Sequence, residues 1–278
     1  MSSILTNNSA MNALSTLRQI NNDLDSTQDR ISTGLKISSG KDNAAYFSIS
    51  ETMKGDSSMY SAIDEALTST MNAVSTARLG AETVNDLASD FAERVAFAQG
   101  GTSEVRADVQ DELNALVERI TTTISQATFN GTSLVDSTAT VTVVTGISRS
   151  AAGSVTTTTI SFQEQDLGAI LSSLSAIDLT SASTAALQEA ALQAAESALD
   201  AAIGAATALG IAENSIETQK DFLGELTNVI DSGVGSMVDA DMESEAARLQ
   251  ALQVQQQLAT QSLSIANSSP QNILSLFQ

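Results

Sequence analysis

The chain has 278 residues with no Cys, His or Trp, one Pro and 3% aromatics, so thiolate or imidazole zinc sites, Cys or Ser/His nucleophile pairs and haem held by an axial His are excluded. With 33 acidic against 12 basic residues its formal charge is −21, which opposes approach to nucleic acid or to an anionic membrane. The apolar share of 42%, built on alanine more than on aromatics, favours closely packed helices over a thick sandwich core.

The N-terminal stretch lacks a basic region, and its longest apolar run is Ile4-Leu5, so no cleaved secretion signal is expected. A helical pattern then sets Ala10, Leu17, Leu24 and Ile31 against Leu14, Asn21, Gln28 and Leu35. Two of these buried-side positions carry amides, so the apolar stripe is thin.

From Ala44 to about Gln99 the pattern is strongest. Met53, Tyr60, Leu67, Val74, Ala81, Ala88 and Val95 stand seven apart, and Ile49, Asp56, Ile63, Thr70, Ala77, Val84, Phe91 and Ala98 form the partner series. Steps of four and three sustained this long predict one helix of roughly 55 residues, about 80 Å in length. Such a helix needs neighbours of similar length. Gly100-Gly101 stops it, Thr102 and Ser103 offer caps, and Val105, Val109, Leu113, Leu116, Ile120, Ile124 and Ala127 predict a second helix, ended by Phe129-Asn130-Gly131.

Across 133–165 the period changes to two, with β-branched residues around Gly146 and Gly153, which predicts a hairpin. Helix resumes from about Ser183 to Ile230. Its seam runs Ala195, Ala202, Leu209, Ile216, Leu223 and Ile230, with Ala198, Ala205, Ala212, Gln219 and Leu226 beside it. Gly233 and Gly235 are expected to break it. Asp239, Asp241, Glu243 and Glu245 suit the positive end of a last helix, whose seam is Met242, Leu249, Gln256, Leu263 with Leu252, Ala259 and Ala266. Residues 249–278 carry no charge, but Gln250, Gln253, Gln255, Gln256, Gln257 and Gln261 make a membrane span implausible. Alone, neither terminal segment buries enough to offset an ordering cost of about 1–2 kcal/mol per residue, so both are expected to order only with partners.

Isolated features that mimic chemistry have plainer readings. The pairs Asp64-Glu65, Asp111-Glu112 and Asp239/Asp241 lack the spacing of a glycosidase pair or a calcium loop and read as solvated helix faces. Gly100-Gly101, and Gly233 with Gly235, would suggest phosphate loops only after a strand and before Gly-Lys-Ser/Thr, and neither context is present. They read as breaks.

The two ends carry the most specific pattern. Near the start stand Thr6-Asn7-Asn8-Ser9-Ala10, Leu14, Leu17, Thr27-Gln28-Asp29-Arg30-Ile31-Ser32-Thr33-Gly34-Leu35-Lys36-Ile37 and Ser39-Gly40-Lys41-Asp42-Asn43-Ala44-Ala45. Near the end stand Ala266-Asn267-Ser268-Ser269-Pro270-Gln271-Asn272-Ile273-Leu274-Ser275-Leu276-Phe277, with Phe129-Asn130-Gly131 between. In this order the motifs resemble bacterial flagellin over essentially the whole chain.

The resemblance implies a mainly α fold: a long antiparallel helical bundle or coiled coil with a small β-hairpin, and terminal helices forming an inner filament layer. It implies that 1–38 and 238–278 pair as that layer around a channel, and that 39–237, with the hairpin at about 133–165, surround it. The function implied is a non-enzymatic subunit, without cofactor or metal, exported to the cell exterior and polymerised into a swimming filament. Its implied partners are other flagellin subunits, an export chaperone on the last helix, and hook-junction and cap proteins, with no nucleic acid and no membrane. The residues expected at the polymerisation interface are Leu14, Leu17, Leu24, Ile31, Leu35, Leu249, Leu252, Leu263, Ile273 and Leu276. Those expected in the bundle seam are Tyr60, Leu67, Val74, Val84, Phe91, Val95, Leu209, Ile216, Leu223 and Ile230. Only about 50 residues separate the second helix from the Ala-rich one, so large outer domains are absent. Tyr46-Phe47 stands where many relatives have Gly followed by an aliphatic residue, and Val95 follows Arg94 where a Glu read by an innate immune receptor is expected. Two other readings are a hook–filament junction protein and a secreted coiled-coil adhesin that binds through the Thr-rich hairpin.

Overall fold

The computed structural model describes residues 7–150 and 154–274, with side chains of the last helix described as far as Ser268. Among the described residues, six helices and two small antiparallel sheets follow in order: α1 (Asn8–Thr33), α2 (Ala44–Ala98), α3 (Ser103–Gln126), β1 (Thr128–Phe129), β2 (Thr132–Ser133), β3 (Thr140–Arg149), β4 (Val155–Gln163), α4 (Leu167–Ser175), α5 (Ala185–Val238) and α6 (Met242–Leu274). The chain groups into two compact units, one of residues 1–57 and 228–278, the other of residues 58–227.

Helix ends follow local chemistry. Asn7 Oδ1 accepts from the Ala10 N–H at 3.0 Å to open α1, and Thr102 Oγ1 accepts from the Val105 N–H to open α3. Asn43 Oδ1 accepts from the Ala45 and Tyr46 N–H groups at the start of α2. Gly34, in the left-handed region at φ 72°, ends α1 and returns its N–H to Arg30 O. Asn130 and Gly131, at φ 50° and 79°, make the tight turn between β1 and β2, so Phe129-Asn130-Gly131 is a small hairpin just beyond α3, not the helix stop itself.

In the second unit the core is the interior of a helical bundle. Leu67, Val74, Val84, Phe91 and Val95 of α2 meet Leu113 and Ile120 of α3 and Leu209, Ile216 and Leu223 of α5 in one buried cluster. α2 and α5 run antiparallel there, since Arg78 pairs with Glu213 while Gln99 bonds to Gln188. Alanines at 195, 198, 202, 205 and 212 are buried along α5, which allows close approach. A stretch of α5 is long and apolar enough to cross a membrane by length and composition. Its seam is instead part of this core.

The hairpin pairs β3 with β4 in antiparallel register, Val143 opposite Ile160, with a bulge between Val144 and Gly146. Both long helices hold the bulge: Gln219 Nε2 donates to Thr145 O at 3.1 Å, and the Tyr60 hydroxyl donates to Ile147 O at 3.0 Å. Helix α4, which the sequence pattern does not single out, follows an Asp166 cap and buries Leu167, Ile170 and Leu174.

Two expectations are corrected here. α5 runs through Gly233 and Gly235 to Val238, since each glycine costs a packed helix only about 1 kcal/mol; a Cβ on Gly233 would lie 3.3 Å from Met53 Cε and one on Gly235 2.7 Å from Asp239 Oδ2, both ends of flexible side chains. The break falls at Asp239–Asp241 instead. Ile49 and Met242, placed on seams by spacing, are exposed, because each lies near an end of its helix.

Close packing also yields a stability prediction. Gly80 is buried in α2, and a Cβ there would stand 2.6 Å from Ala127 Cβ. In an open helix Gly→Ala stabilises by about 1 kcal/mol. Here the overlap dominates, so Gly80→Ala is expected to destabilise by about 1–3 kcal/mol, read as a lower denaturation midpoint; an unchanged or higher midpoint rules out the tight contact.

Candidate assembly interface

In the first unit α1 and α6 lie antiparallel. Three long-range contacts set the register: Arg30 Nη1 to Glu245 Oε1 at 3.2 Å, Gln256 Nε2 donating to Asn21 Oδ1 at 2.7 Å, and Asn7 Nδ2 donating to Ala266 O at 2.8 Å. The ion pair lies at the root of α6, where Glu243 and Glu245 also favour the positive helix end. Asp241 caps that end, its Oδ1 accepting from the Glu243 and Ser244 N–H groups.

Of the expected interface residues, Leu17, Leu24, Ile31, Leu35, Leu249 and Leu263 are half-buried, Leu252 is buried and Leu14 is exposed. The side chain of Ile273 and the whole of Leu276 lie outside the described residues. Thr27 is buried within α1, a polar position that the apolar spacing does not mark. The amide pair Asn21–Gln256 accounts for two seam positions that look weak in the sequence: the Gln256 amide donates to the Asn21 side-chain carbonyl. Of the expected bundle residues, Leu67, Val74, Val84, Phe91, Val95, Leu209, Ile216 and Leu223 are buried in the second unit and Tyr60 packs beside them. Ile230 belongs to the first unit, where it packs on a small cluster of Ile37, Val234 and Val238 with Leu35, Phe47, Met53 and Met237.

The links at the base of α1 and α6 are tied together. Leu35 and Asp239 form an antiparallel bridge, Lys36 N–H donates to Val238 O at 2.6 Å, and Ala240 N–H donates to Gly34 O at 2.9 Å. Just beyond, Asp42 Oδ2 accepts from the backbone and hydroxyl groups of Ser38 and Ser39 at 3.1–3.3 Å. The Ser38 N–H, followed by the Ser39 hydroxyl, holds the Asp42 carboxyl below its ordinary value. Asp42 and Asn43 thus close the link on one side and open α2 on the other. Phe47, one of the unusual pair Tyr46-Phe47, packs on the small cluster while Tyr46 is exposed. Arg94 lies 3.4 Å from Glu112, and the Val95 beside it is fully buried.

Two family descriptions match. The bacterial flagellin N-terminal helical region matches residues 4–140, and the bacterial flagellin C-terminal helical region matches residues 192–277. A flagellin of Brucella melitensis biotype 1 is 41% identical over 281 residues, covering all of both chains. The chain belongs to the bacterial flagellin family. Flagellin C of Rhizobium meliloti is 34% identical over 322 residues, again with all of both chains covered. The crystal structure of Bacillus cereus flagellin is similar with a TM-score of 0.38 and 16% identity, over 66% of this chain and 94% of that one. The chain is therefore a structural subunit of the bacterial flagellar filament and not an enzyme, and the junction-protein and adhesin readings are not favoured.

Proposed function

We propose that α1 and α6 of successive subunits form the inner layer of a tubular filament around a central channel, with residues 39–237 in the surrounding layer. Assembly couples association to ordering of the terminal helices, whose seam is too thin to offset its ordering cost alone. The observation that carries this reading is the α1·α6 pair: amides occupy its seam at Asn21 and Gln256, and charge is absent from residues 249–278. Repeated around a tube, like charges closer than about 8 Å would repel, whereas amides bond to one another and to channel water.

The subunit passes to the cell exterior. An export chaperone holds the last helix beforehand, and hook-junction and cap proteins bound the polymer at its two ends. Sedimentation and electron microscopy of purified chain test the reading. Long tubes are expected; monomers or short rings under every polymerising condition would reject it.

A further inference from the structure

Outside the terminal pair, the turn between β1 and β2 brings together a reactive pair of residues. Asn130 is the one asparagine of the chain that is followed by glycine, and it is exposed. Glycine leaves the next backbone nitrogen without a side chain to shield it, and a Cβ on Gly131 would meet nothing within 4 Å, so solvent reaches that nitrogen freely. The other asparagines of the described residues are held by helices. All lie within α1, α2, α3, α5 or α6 except Asn7 and Asn43, whose side chains accept from backbone N–H groups at the starts of α1 and α2.

We propose that Asn130–Gly131 is a site of spontaneous deamidation, gated by the opening of its own turn. The Gly131 nitrogen gives its proton to solvent base and bonds to Asn130 Cγ; the Cγ–Nδ2 bond breaks, and the amide takes a proton from solvent and leaves as ammonia. Water then adds to either carbonyl of the five-membered imide. The products are aspartate, or isoaspartate with the main chain running through the side chain, and each adds one negative charge to the −21 of the chain. The closed turn resists the first step. Positive φ at both Asn130 and Gly131, 50° and 79°, marks the mirror-image turn whose first ψ is about +30°, and that ψ carries the Gly131 nitrogen away from the Asn130 side chain. Reaction therefore waits for the turn to open. Opening is easy because β1 and β2 have two residues each, too few to hold a hairpin by themselves. It stays local because Ala127 before the hairpin and Leu134 and Val135 after it are buried in the bundle core. Isoaspartate, one main-chain atom longer, does not fit a two-residue turn that sets Phe129 opposite Thr132, so it leaves the turn open.

The test incubates the full chain at mildly alkaline pH, with and without denaturing guanidinium, and follows isoaspartate by enzymatic methyl transfer and its position by peptide mass spectrometry. Isoaspartate is expected at position 130 ahead of every other asparagine. It is expected to form about tenfold faster or more in guanidinium, where the turn is open at all times. In native buffer, exchange protection of the β1–β2 pair is expected to fall as product accumulates, with α2 and α3 still protected. Asn130→Asp, which has no amide to lose, is expected to gain no charge on isoelectric focusing while the wild type gains one. Absence of isoaspartate at position 130, faster reaction at another asparagine, or an equal charge gain in Asn130→Asp overturns the site. Equal rates in buffer and in guanidinium overturn the gate.

Discussion

Removal of residues 240–278 is expected to leave a soluble helical monomer that does not elongate at any concentration. The bundle core of the second unit draws on α2, α3, α4, α5 and the hairpin, none of which is lost. α1 loses its partner instead. Leu17, Leu24 and Ile31 are then left against water, and a lone 26-residue helix with the amide of Asn21 on its half-buried side is marginal. Relative to the assembled wild-type chain, the far-ultraviolet signal should therefore be lower by more than the 33 residues of α6, while the bundle still melts cooperatively. Growth of filaments by the truncated chain would refute the role given to the terminal pair. Retained exchange protection in α1 would show that something other than α6 orders it.

Much of the helical layout is legible because its determinants are local or periodic. α2 is delimited by a heptad carried over 55 residues and by Gly100-Gly101, and α3 by the Thr102 cap. The hairpin follows from the switch to period two around Gly146. The stop expected at Gly233 and Gly235 fails because a glycine costs a helix only about 1 kcal/mol, which the packing of Ile230, Val234 and Val238 in the small cluster offsets. α4 escapes notice because nine residues span too few turns for a period to stand out.

At the candidate interface, sequence spacing finds the side of α6 that packs. Leu249, Leu252 and Leu263 fall on the heptad and pack toward α1. The partnership of Asn21 with Gln256 lies beyond its reach: 235 residues separate the two, and an amide at a seam position says only that a partner is needed, not where it is.

Leu252→Asp is expected to be the most damaging single substitution in the terminal pair. Leu252 is the most deeply buried side chain of α6 among the described residues, at 7% exposure, and the base one turn before it, Arg248, is exposed. A carboxylate buried there costs several kcal/mol, more than a thin seam is able to supply, so α1 and α6 should not gain the exchange protection that the wild type gains on assembly, and polymerisation should stop. Leu263→Asp, at a half-buried position, should do less. Burial raises the pKa of the introduced acid, so its cost is present at neutral pH and falls once the group is protonated. Assembly of the Leu252→Asp chain, normalised to wild type at each pH, should then recover on acidification, and that of Leu252→Asn, which has no charge to lose, should not. Equal pH profiles for the two variants would mean that lost volume, not buried charge, disrupts the pair.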